Sequence, residues 1–214
     1  MIQLVKALVA FGLSPNHNSW VKEVRFSHFS KSMAKILSVI APQGYQGVEY
    51  GHSKEALEAA GHKVLTASTH KKASDKNGNN LQVDLLLKNV KVDDFDAILF
   101  VGGPGVYDYF EDAHVLTLAK KFQKAGKIVS AICAAPSILA NAGLLKGVKA
   151  TSFPSQAANL KAKGAHFTGT GVEQDGKIIT ADGPNNAKAF GEKIASALND
   201  AKGEGADSDV ECDC

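Results

Sequence analysis

One cysteine stands where a nucleophile would be useful. Cys133 follows directly on the apolar run Lys127-Ile128-Val129-Ser130-Ala131-Ile132, among the small residues Ala131, Ala134 and Ala135, and Pro136 comes next. A nucleophile carried on a sharp strand-to-helix turn needs small neighbours, because backbone crowds it there. Pro136 suits the first turn of a helix, where its missing N–H is not needed. Free N–H groups at that helix start would face the sulfur, which predicts a lowered thiol pKa. The competing reading is an inert core cysteine.

Two further segments could serve the same chemistry. Glu49 lies in Gly44-Tyr45-Gln46-Gly47-Val48-Glu49-Tyr50, just beyond the first apolar run. A carboxyl buried there would have a raised pKa, stay protonated, hydrogen-bond a thiolate and move a proton. The alternative is a solvent-facing glutamate at a helix start. Gly102-Gly103-Pro104-Gly105 closes another apolar run. Glycines there let the backbone approach a substrate and aim N–H groups at an oxyanion, or they form only a tight turn. No G-x-G-x-x-G follows the first strand, so no dinucleotide cofactor is expected.

The elements that must position these residues alternate. Ile36–Ala41, Lys63–Ala67, Phe95–Val101, Lys127–Ile132 and Lys177–Ala181 read as strands, and Leu81–Leu87 as a strand or hairpin arm. Lys54–Ala60, Ala113–Ala125, Pro136–Ala142 and Asn186–Leu198 read as helices, the first three closed by Gly61, Gly126 and Gly143. Continuous apolar strands between amphipathic helices predict an α/β fold with a mostly parallel sheet covered on both faces. Ligands of such sheets bind at the carboxyl ends of the strands, where Cys133, Glu49 and the glycine run fall.

Composition narrows the function class. The 214 residues carry a formal net charge of +2 and 44% hydrophobic residues. That balance gives no strong pull on nucleic acid, and no apolar run reaches the roughly 18 residues of a membrane span. Three cysteines do not make a disulfide framework, so a reducing, cytoplasmic setting is expected. Residues 1–32 are basic and serine-containing: they read as an extension or arm, with an organelle presequence as the other reading. The domain is expected over 33–200. Residues 201–214 form an acidic tail, whose Cys212 and Cys214 read as exposed thiols rather than a metal site.

Three segments in this order resemble the ThiJ/PfpI family, which includes the Parkinson-associated deglycase and the intracellular protease of archaea. They are Val48-Glu49-Tyr50 before Ala59-Ala60-Gly61-His62, then Phe100-Val101-Gly102-Gly103, then Ala131-Ile132-Cys133-Ala134-Ala135-Pro136; Asp182-Gly183-Pro184 also fits. The resemblance covers about residues 34–199 and implies a flavodoxin-like three-layer sandwich, usually a homodimer. It implies Cys133 as nucleophile and Glu49 as its protonated partner and general acid/base. It places an oxyanion pocket at the backbone N–H groups of Gly103 and Ala134, next to Gly102, and implies no cofactor and no metal.

The chain departs from the family in one respect. Relatives carry a histidine directly after the cysteine or before a downstream proline; here these positions hold Ala134 and Phe153. A Cys–His dyad is unsupported, and proteolysis becomes the weakest family activity. His52 is expected at the surface. The resemblance points first to a cofactor-free enzyme on small reactive carbonyls, of the glyoxalase or deglycase kind, converting methylglyoxal to lactate. The alternatives are a redox-responsive stress protein or chaperone using Cys133 oxidation, and an isocyanide hydratase-like enzyme.

Overall fold

The computed structural model describes residues 33–203. The arm 1–32, the tail beyond 203 and the thiols Cys212 and Cys214 lie outside the described residues. The chain enters through β1 (Lys35–Val39), the short β2 (Gln43–Tyr45) and α1 (Gly47–Ala59). It continues through β3 (Lys63–Ser68), β4 (Lys72–Asp75), β5 (Asn80–Gln82), β6 (Leu85–Leu86), β7 (Ala97–Phe100) and α2 (Ala113–Lys124). Then come β8 (Ile128–Ile132), α3 (Pro136–Asn141), β9 (Lys149–Ala150), α4 (Ala157–Ala162) and β10 (His166–Phe167). An antiparallel pair, β11 (Val172–Asp175) and β12 (Ile178–Ala181), leads into α5 (Ala187–Gly203).

Seven strands form the central sheet in the order β11-β12-β8-β7-β1-β3-β6, and only the β11–β12 pairing is antiparallel. Side chains alternate across it, as strand geometry requires. Leu37, Ile98, Phe100, Val129 and Ala131 join one core with Val115, Leu118 and Phe122 of α2 and Ile138 and Leu139 of α3. Ile36, Leu99 and Ile132 join the other with Leu57 of α1 and Phe190, Ile194 and Leu198 of α5. The sheet is thus covered on both faces. Among the described residues, no helix is long and apolar enough to cross a membrane.

The structure corrects several boundaries. α1 starts seven residues before the expected Lys54. Its buried residues are Glu49, Ser53, Ala56 and Leu57, so polar side chains occupy core-facing positions and the apolar period that reveals a helix is missing. α5 continues to Gly203, beyond the expected Leu198 and into the span read as tail. The segment 81–87 is divided between β5, β6 and a short turn, and β5 is an arm of the β4–β5 hairpin. β2, β4, β9, β10 and β11 are too short, or too polar, for a period of two to show.

α1 and α5 cross closely because of one glycine. A Cβ at Gly191 would come within 2.7 Å of the Ser53 carbonyl oxygen and 2.8 Å of the Ala56 Cβ. The Ser53 hydroxyl donates to the Ala187 carbonyl at 3.1 Å in the same contact. Gly191→Ala is therefore expected to destabilise the fold by about 1–3 kcal/mol by pushing the helices apart. Urea denaturation measures this, and unchanged stability would show that the crossing can relax.

Candidate functional site

Cys133 is the link between β8 and α3. It has φ +65°, and among the described residues it alone adopts positive φ without being glycine. That left-handed turn is strained for a residue with a Cβ. It is held from both sides: the Cys133 N–H donates to the Ala181 carbonyl at 2.9 Å, and its carbonyl accepts from the Phe153 N–H at 2.8 Å. The flanking Ala134 and Ala135 are buried, and the sulfur-bearing residue itself is partly exposed.

Glu49 reaches this turn from the first turn of α1 and is fully buried. The surface reading of this residue is excluded. Its Oε2 accepts from the Gly102 N–H at 3.1 Å, and its carboxyl is hydrogen-bonded to Cys133. Its Oε1 is buried with no hydrogen-bond partner. Burial is the main cause that raises the Glu49 pKa to about 7, against smaller lowering by its bonds to Cys133 and Gly102 and by Lys76. Nothing in the sequence marked Lys76; the Lys76 N–H donates to the Tyr45 carbonyl at 2.9 Å, which brings its turn beside the start of α1. Asp182, after β12, acts in the opposite direction to Lys76 and raises Glu49.

The glycine run closes the third side. A Cβ at Gly102 would lie 2.7 Å from the Cys133 Cβ and 2.8 Å from Glu49 Oε2, so only glycine fits between the thiol-bearing turn and the carboxyl. Gly103 has φ +110°, and a Cβ there would meet the Gln46 nitrogen at 2.5 Å. The N–H groups of Ala134 and Gly103 face the sulfur and favour its charged form. Cys133, Glu49, Gly102, Gly103 and Ala134 therefore converge, from three segments far apart in the chain.

The lowered thiol pKa expected from the helix start is not what this environment produces. Burial pushes Cys133 up to about 12, aided by the charge and hydrogen bond of Glu49; the Ala134 and Gly103 N–H groups oppose this more weakly. α3 is only six residues long and contributes little dipole. Thiol and carboxyl compete for one negative charge, and at neutral pH the carboxyl is the readier to hold it.

Among the described residues, no histidine is a partner of Cys133 or Glu49. His52 is exposed on α1, as expected, and His114 Nε2 pairs with the Leu87 carbonyl at 3.2 Å. Among the described residues, no three His, Cys, Asp or Glu side chains gather in a way that could hold a metal ion.

Comparison with known proteins covers nearly all of the described chain. The DJ-1/PfpI family pattern matches residues 34–197. An uncharacterised protein of Methanocaldococcus jannaschii is 39% identical over 77% of this chain and 82% of its own. A deglycase of Thermococcus kodakarensis is 32% identical over 77% of this chain and 99% of its own. Among solved structures, a ThiJ/PfpI domain protein from Brachyspira murdochii superposes with a TM-score of 0.77 at 34% identity, over 78% of this chain and 98% of that one.

Proposed function

The chain belongs to the DJ-1/PfpI family, and from that premise we propose that it is a cofactor-free enzyme that uses Cys133 to detoxify small reactive carbonyls. The observation that carries this reading is the hydrogen-bonded pair of Cys133 at φ +65° and a fully buried Glu49 whose pKa is about 7. A base with a pKa near the working pH is the efficient one for moving protons. The relative named as a deglycase supports the same substrate class.

With methylglyoxal the steps are these. Ionised Glu49 takes the thiol proton as the sulfur adds to the aldehyde carbon. The resulting hemithioacetal oxygen lies against the Gly103 and Ala134 N–H groups. Glu49 gives its proton to that oxygen, then carries a proton from the former aldehyde carbon to the former ketone carbon while the new hydroxyl proton passes to the former ketone oxygen, which leaves a thioester of lactate. Water cleaves the thioester, releasing lactate and restoring the thiol, so methylglyoxal plus water becomes lactate with no external oxidant. Lacking the family histidine, the site asks one carboxyl to make every transfer, and slow turnover is expected, by roughly 10²–10⁴-fold relative to a site with that extra base.

The test is lactate production from methylglyoxal without glutathione. Lactate in step with methylglyoxal loss supports the reading, and an inert wild-type protein removes it. A redox-sensing role gains less support from the same geometry. Peroxide reacts with thiolate, and a thiol held neutral beside an ionised carboxyl is protected.

A further inference from the structure

The loop that carries Gly103 and the turn that carries Cys133 come from different strands, and besides Glu49 a second buried side chain ties them together. Gln156 is 7% exposed and sits after Phe153, whose N–H holds the Cys133 carbonyl. Its Oε1 accepts from the hydroxyl of the fully buried Ser137 at 2.9 Å. Its Nε2 donates to the Tyr107 hydroxyl at 3.0 Å and to Ser155 Oγ at 3.0 Å. Ser137 lies four residues beyond Cys133, in the first turn of α3. Tyr107 lies four residues beyond Gly103, in the turn Pro104–Tyr109. Tyr107 is half exposed and leans on Phe110, with ring centroids 4.8 Å apart. Among the described residues its hydroxyl has no hydrogen bond other than the one to Gln156. The far end of the loop is fastened separately, by Asn141 Nδ2 to the Phe110 carbonyl at 3.0 Å.

We propose that Gln156 is a positioning residue: through Tyr107 and Ser137 it keeps the Gly103 loop in register with the Cys133 turn, so that both backbone N–H donors stay on the sulfur. This rests on Cys133 as nucleophile. The Ala134 N–H is built into the turn itself, whereas the Gly103 N–H arrives from the neighbouring strand and depends on how its loop is held. Buried polar links of this kind act as a unit, so breaking either bond releases the same loop.

The test labels Cys133 with iodoacetamide, in which the thiolate displaces iodide and forms a thioether. Peptide mass spectrometry reads Cys133 apart from Cys212 and Cys214. Gln156→Leu and Tyr107→Phe are each expected to slow labelling at pH 8 by about 3–10-fold, because an N–H donor to the thiolate is withdrawn. The double variant should be no slower than Gln156→Leu alone. For methylglyoxal, kcat should fall by about tenfold with KM within twofold.

A merely structural role predicts the opposite sign, since loosening exposes the thiol and speeds labelling. Unchanged or faster labelling, or multiplying effects in the double variant, overturns the proposal. Tyr107→Phe removes only a half-exposed hydroxyl, so it decides the matter even if Gln156→Leu does not fold. Should wild type be inert with methylglyoxal, the enzymatic reading fails on its own, and the labelling rates still decide the role of Gln156.

Discussion

Cys133→Ser is expected to lower methylglyoxal turnover by at least about 10⁴-fold while leaving the fold intact. Serine keeps the shape of the side chain and can occupy the same turn at φ +65°. What it loses is acidity and nucleophilicity. Glu49, with a pKa of about 7, is strong enough to help deprotonate a thiol as it attacks but is a far weaker match for an alcohol. The measurement is lactate formation with thermal melting alongside. A melting temperature within a few degrees of wild type with no lactate confirms a chemical role. Turnover that survives the substitution would remove Cys133 from the mechanism.

Glu49→Gln should separate activity from stability. Turnover is expected to fall by roughly 10²–10⁴-fold, because glutamine accepts hydrogen bonds but no proton. Wild-type kcat/KM should rise with pH through about 7 as Glu49 ionises, and the variant should lack that step.

Stability should move the other way. The folded pKa of about 7 lies above the ordinary 4.5, so the folded state holds a proton that the unfolded chain releases between these values. The stabilisation is complete below 4.5, shrinks as pH rises, and is gone above about 7, a loss of about 3 kcal/mol. Glutamine does not titrate and escapes that loss. The variant should therefore match wild type near pH 5 and exceed it at pH 8, by up to about 3 kcal/mol. Urea melts at the two pH values check this. A stability difference that does not change with pH would mean that Glu49 titrates normally.

The same carboxyl shows where sequence reading works and where it stops. Cys133 was legible because strand, small residues and Pro136 follow one another directly, and that local order is itself the turn geometry. Gly102 and Gly103 were legible for a similar reason: glycines directly after an apolar strand mark a backbone approach, here the 2.7 Å from a Gly102 Cβ to Cys133. Glu49 was visible as a candidate, but its burial was not. Its helix hides polar residues against α5, a contact between segments well over a hundred residues apart that depends on Gly191 having no side chain.

The sequence by itself determined the parallel α/β sheet, because apolar strands alternating with helices have few other ways to bury both faces. It also singled out Cys133 as the candidate thiol. The tertiary structure alone decided how that thiol is tuned. Local order predicted a lowered pKa from the helix start, but the assembled site buries the sulfur beside a carboxyl and raises it to about 12. Desolvation and charge proximity are properties of the whole packing: Glu49 acts on the thiol, and Lys76 and Asp182, from separate parts of the chain, act on Glu49. The link from Ser137 through Gln156 to Tyr107 likewise exists only once the chain has folded, because hydrogen bonds between side chains far apart in sequence leave no period or motif to read.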